Sequence, residues 1–232
     1  MQRRNFTSAL VTGTVLVSAG GVAIPIRAAS ISESDAASGI RAALERGAAA
    51  AVRLLGRPDG FLGNPKVRIP LPGFLNDAAK LLKLTGQQGR VDELVNAMNR
   101  AAEAAVPEAR TLLVDAVRSM SVDDARRIVS GADNAATRFF ADKTRTPLTA
   151  RFLPIVTRAT NRVALADKYN AVAGKAAGIG LLNSKDANIQ QYVTGKALDG
   201  LYLTIGEEER KIRRDPIGTG SAILQKVFGS IR

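Results

Sequence analysis

The chain has no cysteine, no histidine and no tryptophan, and aromatic residues fill only 4% of its 232 positions. Without cysteine there are no disulfides and no thiolate chemistry. Without histidine, the commonest metal ligand and the commonest general base are gone. An enzyme built on this sequence would have to work with carboxylates, lysine, tyrosine or hydroxyls. The three adjacent glutamates Glu207, Glu208 and Glu209 have no His, Cys or Asp-rich calcium loop beside them, and dinucleotide, phosphate-loop and nucleophile-elbow patterns are absent. No metal site and no cofactor is therefore expected. No five basic residues run together, so nucleic acid is not an expected partner either.

Alanine, leucine and valine dominate instead, which suits helices packed closely through small side chains, in a chain long enough to bury a core without cross-links. The expected fold is all-α: a single compact bundle of about eight helices carrying one long ordered loop rich in proline and glycine. The formal charge is +12. Such an excess favours anionic partners such as lipid or a polyanionic envelope component, or it serves solubility alone.

Residues 1–29 have the layout of an export signal: the basic pair Arg3-Arg4, a diluted apolar stretch from Thr7 to Ile24, and small residues at Ala28 and Ala29. Arg3-Arg4 followed by Phe6 resembles a twin-arginine signal, although Gln2, Thr7 and Ser8 depart from that pattern, and the general secretory route is the alternative. An uncleaved anchor is the structural alternative, weakened by Gly20, Gly21 and Pro25. Cleavage near Ala28 would leave residues 30–232 as an all-helical periplasmic domain with no transmembrane segment. Losing Arg3, Arg4 and Arg27 leaves 30 basic against 21 acidic residues, or +9.

Along the body, a capping box at Ser32-Glu33-Ser34-Asp35 opens a helix whose apolar residues recur from Ile40 to Leu55 and which ends near Gly56, and apolar residues recur at helical spacing again over 74–84, 91–106 and 108–120. Pro107 should kink or restart the chain, and Ser121-Val-Asp-Asp124 should cap a helix that stops at Gly131. Phe139 and Phe140 should point to the core. A new helix is expected at Pro147, running to Tyr169, followed by a loop or loose helix end around Gly174, Gly178 and Gly180. A last long helix is expected from about Asp186 to Arg214, with an amphipathic tail through Ile223, Leu224, Val227 and Phe228.

The stretches LLGRPDGFLGNPKVRIPLP, DELVNAMNRAAEAAVPEA, MSVDDARRIVSGADNAATRFF, FLPIV, YVTGKALDGLYLTIGEEERKIRRDP and KVFG resemble, in order and spacing, a bacterial family known as DUF4197. The resemblance extends from about Gly39 onward. It implies an exported, helical bacterial protein and brings no catalytic role with it.

Residues 57–73, RPDGFLGNPKVRIPLPG, pose the sharpest question about function. A type I turn is expected at Arg57–Gly60 and a second bend at Asn64-Pro65, with Phe61, Leu62, Val67, Ile69 and Leu71 turned inward. A solvated linker would not carry five large apolar residues, so the segment is expected to be ordered. It would act either as a strap closing the bundle or as a lid over a ligand, with Lys66 and Arg68 facing water or an anion. Asn99, Arg100 and Glu103 share one helical turn and could hold a polar ligand together. In EEERKIRR the pairs Glu207–Lys211 and Glu209–Arg213 have i,i+4 spacing, while the stripe containing Tyr202 passes through Glu208 or Glu209. One of these two carboxylates should then be buried against a cation, Arg100 and Arg126 being candidates.

Three functions fit these observations. The first is a non-enzymatic envelope protein that binds an amphipathic or anionic ligand through Lys66, Arg68, Asn99, Arg100, Glu103, Tyr202, Glu208 and Glu209. The second is a carboxylate-based hydrolase or lyase using Glu103 with Glu208 or Glu209. The third is a structural or assembly partner in the periplasm.

Overall fold

Long stretches of three-to-four-residue apolar periodicity leave no place for strands. In the computed structural model there is none among the described residues, which are 33–73, 75, 79–80, 84–178 and 188–215. Seven α-helices and one 3₁₀ turn are described: α1 (Glu33–Leu55), α2 (Gln88–Ala105), the 3₁₀ turn Val106–Glu108, α3 (Ala109–Arg118), α4 (Val122–Ser130), α5 (Ala135–Thr160), α6 (Ala164–Gly178) and α7 (Ile189–Arg214). The expected leader, most of the expected helix at 74–84, and the tail beyond Asp215 lie outside the described residues.

The division into helices differs from expectation most clearly at proline. No new helix begins at Pro147; α5 runs unbroken through Pro147 and Pro154 and ends at Thr160, and α6 starts afresh at Ala164. Both prolines are exposed and stand seven residues apart, on the outer side of the helix. There water can take the carbonyls that a proline leaves without an N–H partner. The inner side is what holds the helix together: Ala136, Phe140, Thr144, Leu148, Phe152, Val156 and Thr160 are all buried. They recur at every fourth position, so the stripe winds about 40° per step around a helix of 3.6 residues per turn. It is the ridge that interdigitates with neighbouring helices in the commonest packing class. Glycine is also tolerated further on, where α6 is helical through Gly174 to Gly178.

Pro107 does redirect the chain, inside a 3₁₀ turn that separates α2 from α3. Ser121 caps α4 by a reciprocal box: its hydroxyl accepts from the Asp124 N–H at 3.0 Å, and the Asp124 carboxylate accepts from the Ser121 N–H at 3.1 Å. The Arg127 guanidinium, followed by the Ser121 hydroxyl and amide, pulls the Asp124 carboxyl down from 3.8 to about 2.

The two longest helices, α5 and α7, pack on each other at the centre, with α2 against both, α1 against α7 and α3, and α4 between α1 and α5. Alanine makes this close approach workable: Ala37, Ala43, Ala48 and Ala51 of α1 and Ala101, Ala102 and Ala105 of α2 are all buried. Phe61, Leu94, Met98, Phe140, Leu148, Phe152 and Leu198 fill the space between. Each such large side chain contributes about 1.5–3 kcal/mol by leaving water. No described helix is long and apolar enough to cross a membrane.

Candidate functional site

The 57–73 segment is anchored by α2. Asn99 is fully buried, and its carboxamide pairs with Ile69 as a neighbouring strand would, accepting from the Ile69 N–H at 2.8 Å and donating to the Ile69 carbonyl at 2.9 Å. Its second amide hydrogen goes to the Val95 carbonyl, 2.8 Å away. One turn later, a single oxygen of the buried Glu103 accepts from the N–H groups of Phe61 and Leu62 at 3.0 and 3.1 Å. Its other oxygen takes Arg100 at 2.7 Å, and Arg100 reaches on to Asp59 at 2.8 Å. The Glu103 hydrogen bond, helped by the charges of Glu103 and Asp59, holds the Arg100 guanidinium above its ordinary pKa.

From the far side, Tyr192 of α7 donates to the Pro70 carbonyl at 3.1 Å, and Lys66 pairs with Glu207 at 2.7 Å. Phe61, Val67 and Ile69 are buried while Lys66, Arg68 and Pro70 are exposed, as the alternation predicts. A Cβ on Gly200 would come within 2.7 Å of the Phe61 ring, so the missing side chain of α7 is what admits Phe61. The turn at Arg57–Gly60 closes through the Gly60 N–H and the Arg57 carbonyl at 3.0 Å, but it is not of type I. Asp59 at its third position has φ +62°, a left-handed conformation that aspartate tolerates better than most side chains.

The second cluster lies at the other end of α7. Glu209 is buried, and its carboxylate accepts from the N–H groups of Ala136 and Thr137, both at 3.0 Å, and from the Thr137 hydroxyl at 2.8 Å. Asn134, the N-cap of α5, supplies no side-chain cap, so Glu209 caps that helix from α7. Arg213 pairs with Glu209 at 2.9 Å and donates to the Ile128 carbonyl at 2.7 Å near the end of α4. One ion pair thus places a negative charge at the start of α5 and a positive charge at the finish of α4. Glu208 pairs with Lys211 at 2.6 Å, in place of the anticipated Glu207–Lys211 pair. Tyr202 is buried with its hydroxyl 2.9 Å from that of Thr144 and the Arg145 guanidinium over its ring. Burial raises the Tyr202 pKa, against the opposing pull of Thr144 and Arg145.

The eight sequence-selected residues therefore fall into two groups. Asn99, Arg100 and Glu103 hold the strap that carries Lys66 and Arg68, and Lys66 reaches from it to Glu207 of α7. Tyr202, Glu208 and Glu209 lie further along α7. Glu103 is tied to Phe61 at the level of Gly200, and Glu209 is nine residues beyond Gly200, about 13 Å along the axis. The two carboxylates do not share a cleft. Each already accepts hydrogen bonds from backbone N–H groups and a guanidinium, and Arg68 makes no ion pair among the described residues.

Three features had no part in the sequence-level selection. One is the outer face of α5 with the turn that follows it. Between residues 143 and 162 the chain has Lys143, Arg145, Arg151, Arg158 and Arg162, all exposed, and no acidic residue. Arg145 pairs with Asp199, whereas Arg151, Arg158 and Arg162 have no ion pair among the described residues. The second is a groove of about 600 Å³ beside the start of α5, lined by Arg127, Arg138, Phe139, Asp142 and Lys143 among others. The third is a cleft of about 340 Å³ where α5, α6 and α7 meet, lined by Leu153, Thr157, Asn161, Asp167, Asn170, Asn188, Gln190 and Gln191. An acid-free run could have flagged the first; the density of Asn and Gln near 188–191 is a fainter signal for the last. Among the described residues, no group of three or more acidic side chains could hold a metal ion.

An all-helical chain with a strap pinned by Asn99 and Glu103, and a helix capped from another helix by Glu209, is the class that the geometry defines. The chain belongs to the family described as a protein of unknown function, DUF4197, whose model matches residues 30–229. No curated protein and no solved structure matches it.

Proposed function

We propose that this chain is a non-enzymatic binding module of the bacterial envelope, exported to the periplasm behind its leader, and that the outer face of α5 engages anionic lipid headgroups. The observation that carries this reading is the acid-free run from 143 to 162, with Arg151, Arg158 and Arg162 exposed and without ion pairs among the described residues. Arg151 and Arg158, seven residues apart, fall on one side of α5 about 10 Å apart along the axis, and Arg162 follows in the turn just beyond its end at Thr160. Planar guanidinium groups match phosphate oxygens in pairs, which suits a headgroup layer. Of the residues expected to face an anion, Lys66 and Arg100 have their charges answered by Glu207, Asp59 and Glu103, and Arg68 stands exposed by itself, so the main anion-facing role passes to α5. Catalysis is disfavoured by the same reasoning, since Glu103 and Glu209 are fully engaged within the fold.

Co-sedimentation with vesicles tests the proposal. Vesicles containing phosphatidylglycerol should capture the protein at low salt and release it as salt rises, while pure phosphatidylcholine should not. Replacing Arg151, Arg158 and Arg162 by Gln should abolish capture, whereas replacing Arg110 and Arg118 by Gln should leave most of it. Equal capture by both vesicle types, or an unaffected triple variant, would refute the reading. Fractionation of cells expressing the full chain checks the address, which requires a shortened protein in the periplasmic fraction.

A further inference from the structure

The cleft between α5, α6 and α7 contains a relay of carboxamides whose polarity is set from one end. The Ile189 N–H donates to Asn170 Oδ1 at 2.9 Å, so Asn170 must turn its NH₂ outward, and that group donates to Gln190 Oε1 at 2.9 Å. Gln190, nine-tenths buried, then donates through Nε2 to Asn161 Oδ1 at 3.2 Å. Each amide has one donor end and one acceptor end, so a backbone N–H at the start dictates every later orientation. The last donor, Asn161 Nδ2, has no partner among the described residues and borders the cleft.

Other capacity is free there as well. Asn188 uses its oxygen to accept from the Gln191 N–H at 3.0 Å, leaving its NH₂ unengaged, and the side chains of Gln191 and Asp167 make no hydrogen bond or ion pair among the described residues. Among the described residues, the lining thus offers amide donors together with one carboxylate acceptor, no cation and no aromatic ring. An anion would meet Asp167 without a compensating charge, and a planar base would find no ring to stack on. Hydroxyl-rich neutral molecules supply the complementary groups, because every hydroxyl both donates and accepts. The volume of about 340 Å³ lies at the lower end of the range for small-molecule sites, about 300–1,000 Å³.

We propose that this cleft is a carbohydrate site in which Asn161 and Asn188 donate to sugar or acetamido oxygens and Asp167 accepts from sugar hydroxyls. Gln190 and Asn170 are positioning residues that hold the Asn161 donor outward. The site is independent of the arginines on the outer face of α5, so either proposal can fail without the other.

The test uses the full chain with N,N′-diacetylchitobiose and cellobiose as probes, followed by NMR of the Asn and Gln side-chain NH₂ signals and by calorimetry. Binding of either disaccharide, with the Asn161 NH₂ signal shifting, is the expected result. Asp167→Asn, at an exposed position, should weaken that binding about tenfold while leaving the thermal midpoint and vesicle capture unchanged. Asn161→Ala should weaken it as much and leave vesicle capture unchanged, but with a lower thermal midpoint, because the buried Gln190 Nε2 donor loses its acceptor. Failure of both sugars to bind at millimolar concentration would overturn the proposal. So would binding that survives both substitutions.

Discussion

Asn99 and Ile69 face each other across the boundary of α2 and the strap through two hydrogen bonds, 2.8 and 2.9 Å long, made by one side-chain amide to one backbone unit. The side chain thus replaces the strand that an extended segment would otherwise need. Only a carboxamide sets an N–H donor and a carbonyl acceptor side by side in one plane, and the other residue that has one, glutamine, is one methylene longer.

Asn99→Ala should leave the Ile69 N–H and carbonyl buried without partners. At about 1–3 kcal/mol for each such group, the loss should amount to about 2–6 kcal/mol, read as a lower urea midpoint. Limited proteolysis should then cut within 57–73 at protease levels that leave the parent intact.

Gly200→Ala reverses the usual expectation. An alanine inside a helix normally stabilises by roughly 0.5–1 kcal/mol relative to glycine. Here the new Cβ would come within 2.7 Å of the fully buried Phe61 ring and 3.3 Å of Val67, so the variant should lose about 1–3 kcal/mol through overpacking. Adding Phe61→Leu should recover part of that loss, which a double-mutant cycle on thermal midpoints would reveal.

Glu209→Ala should be the most damaging single change in α7. It strands the mostly buried Arg213 and uncaps α5, and removal of one partner of a buried pair costs about 3–5 kcal/mol. Replacing Arg213 by Met as well should restore a measurable share of the stability. An unchanged double variant would mean that capping of α5, and not the ion pair, accounts for the whole effect.

The cap of α4 should show itself in acid. Because Asp124 titrates at about 2 in the fold against 3.8 ordinarily, its contribution is fully present above pH 3.8 and fades as the pH falls through about 2. Ser121→Ala should cost about 1 kcal/mol at neutral pH. The gap between variant and parent, measured by urea denaturation, should narrow toward pH 2.

Much of the fold follows from periodicity over short windows. The stripe in 91–106, the cap at Ser121 and the stop at Gly131 are local facts, and each appears where local chemistry puts it. The continuous α5 was not legible because its buried residues repeat every four positions. A stripe that winds by about 40° per step covers roughly 240° between Ala136 and Thr160 and leaves no constant apolar face. With the two prolines on top, a break at Pro147 was the natural local reading. The strap was legible as an ordered segment from Phe61, Val67 and Ile69, but its anchors Asn99 and Glu103 looked like ordinary polar neighbours on a helix surface.

On its own, the sequence determined that the body is helical, that thiol and imidazole chemistry are absent, and that basic charge is in excess. These are properties of residue type and of neighbours within a turn or two. Tertiary structure decided which polar groups remain available, because a carboxylate or amide is engaged only by partners that folding brings to it. Glu103 meets the Phe61 and Leu62 N–H groups across about forty residues, and Glu209 meets the Ala136 N–H across more than seventy. What those contacts leave unengaged is the outer face of α5 and the amide-lined cleft.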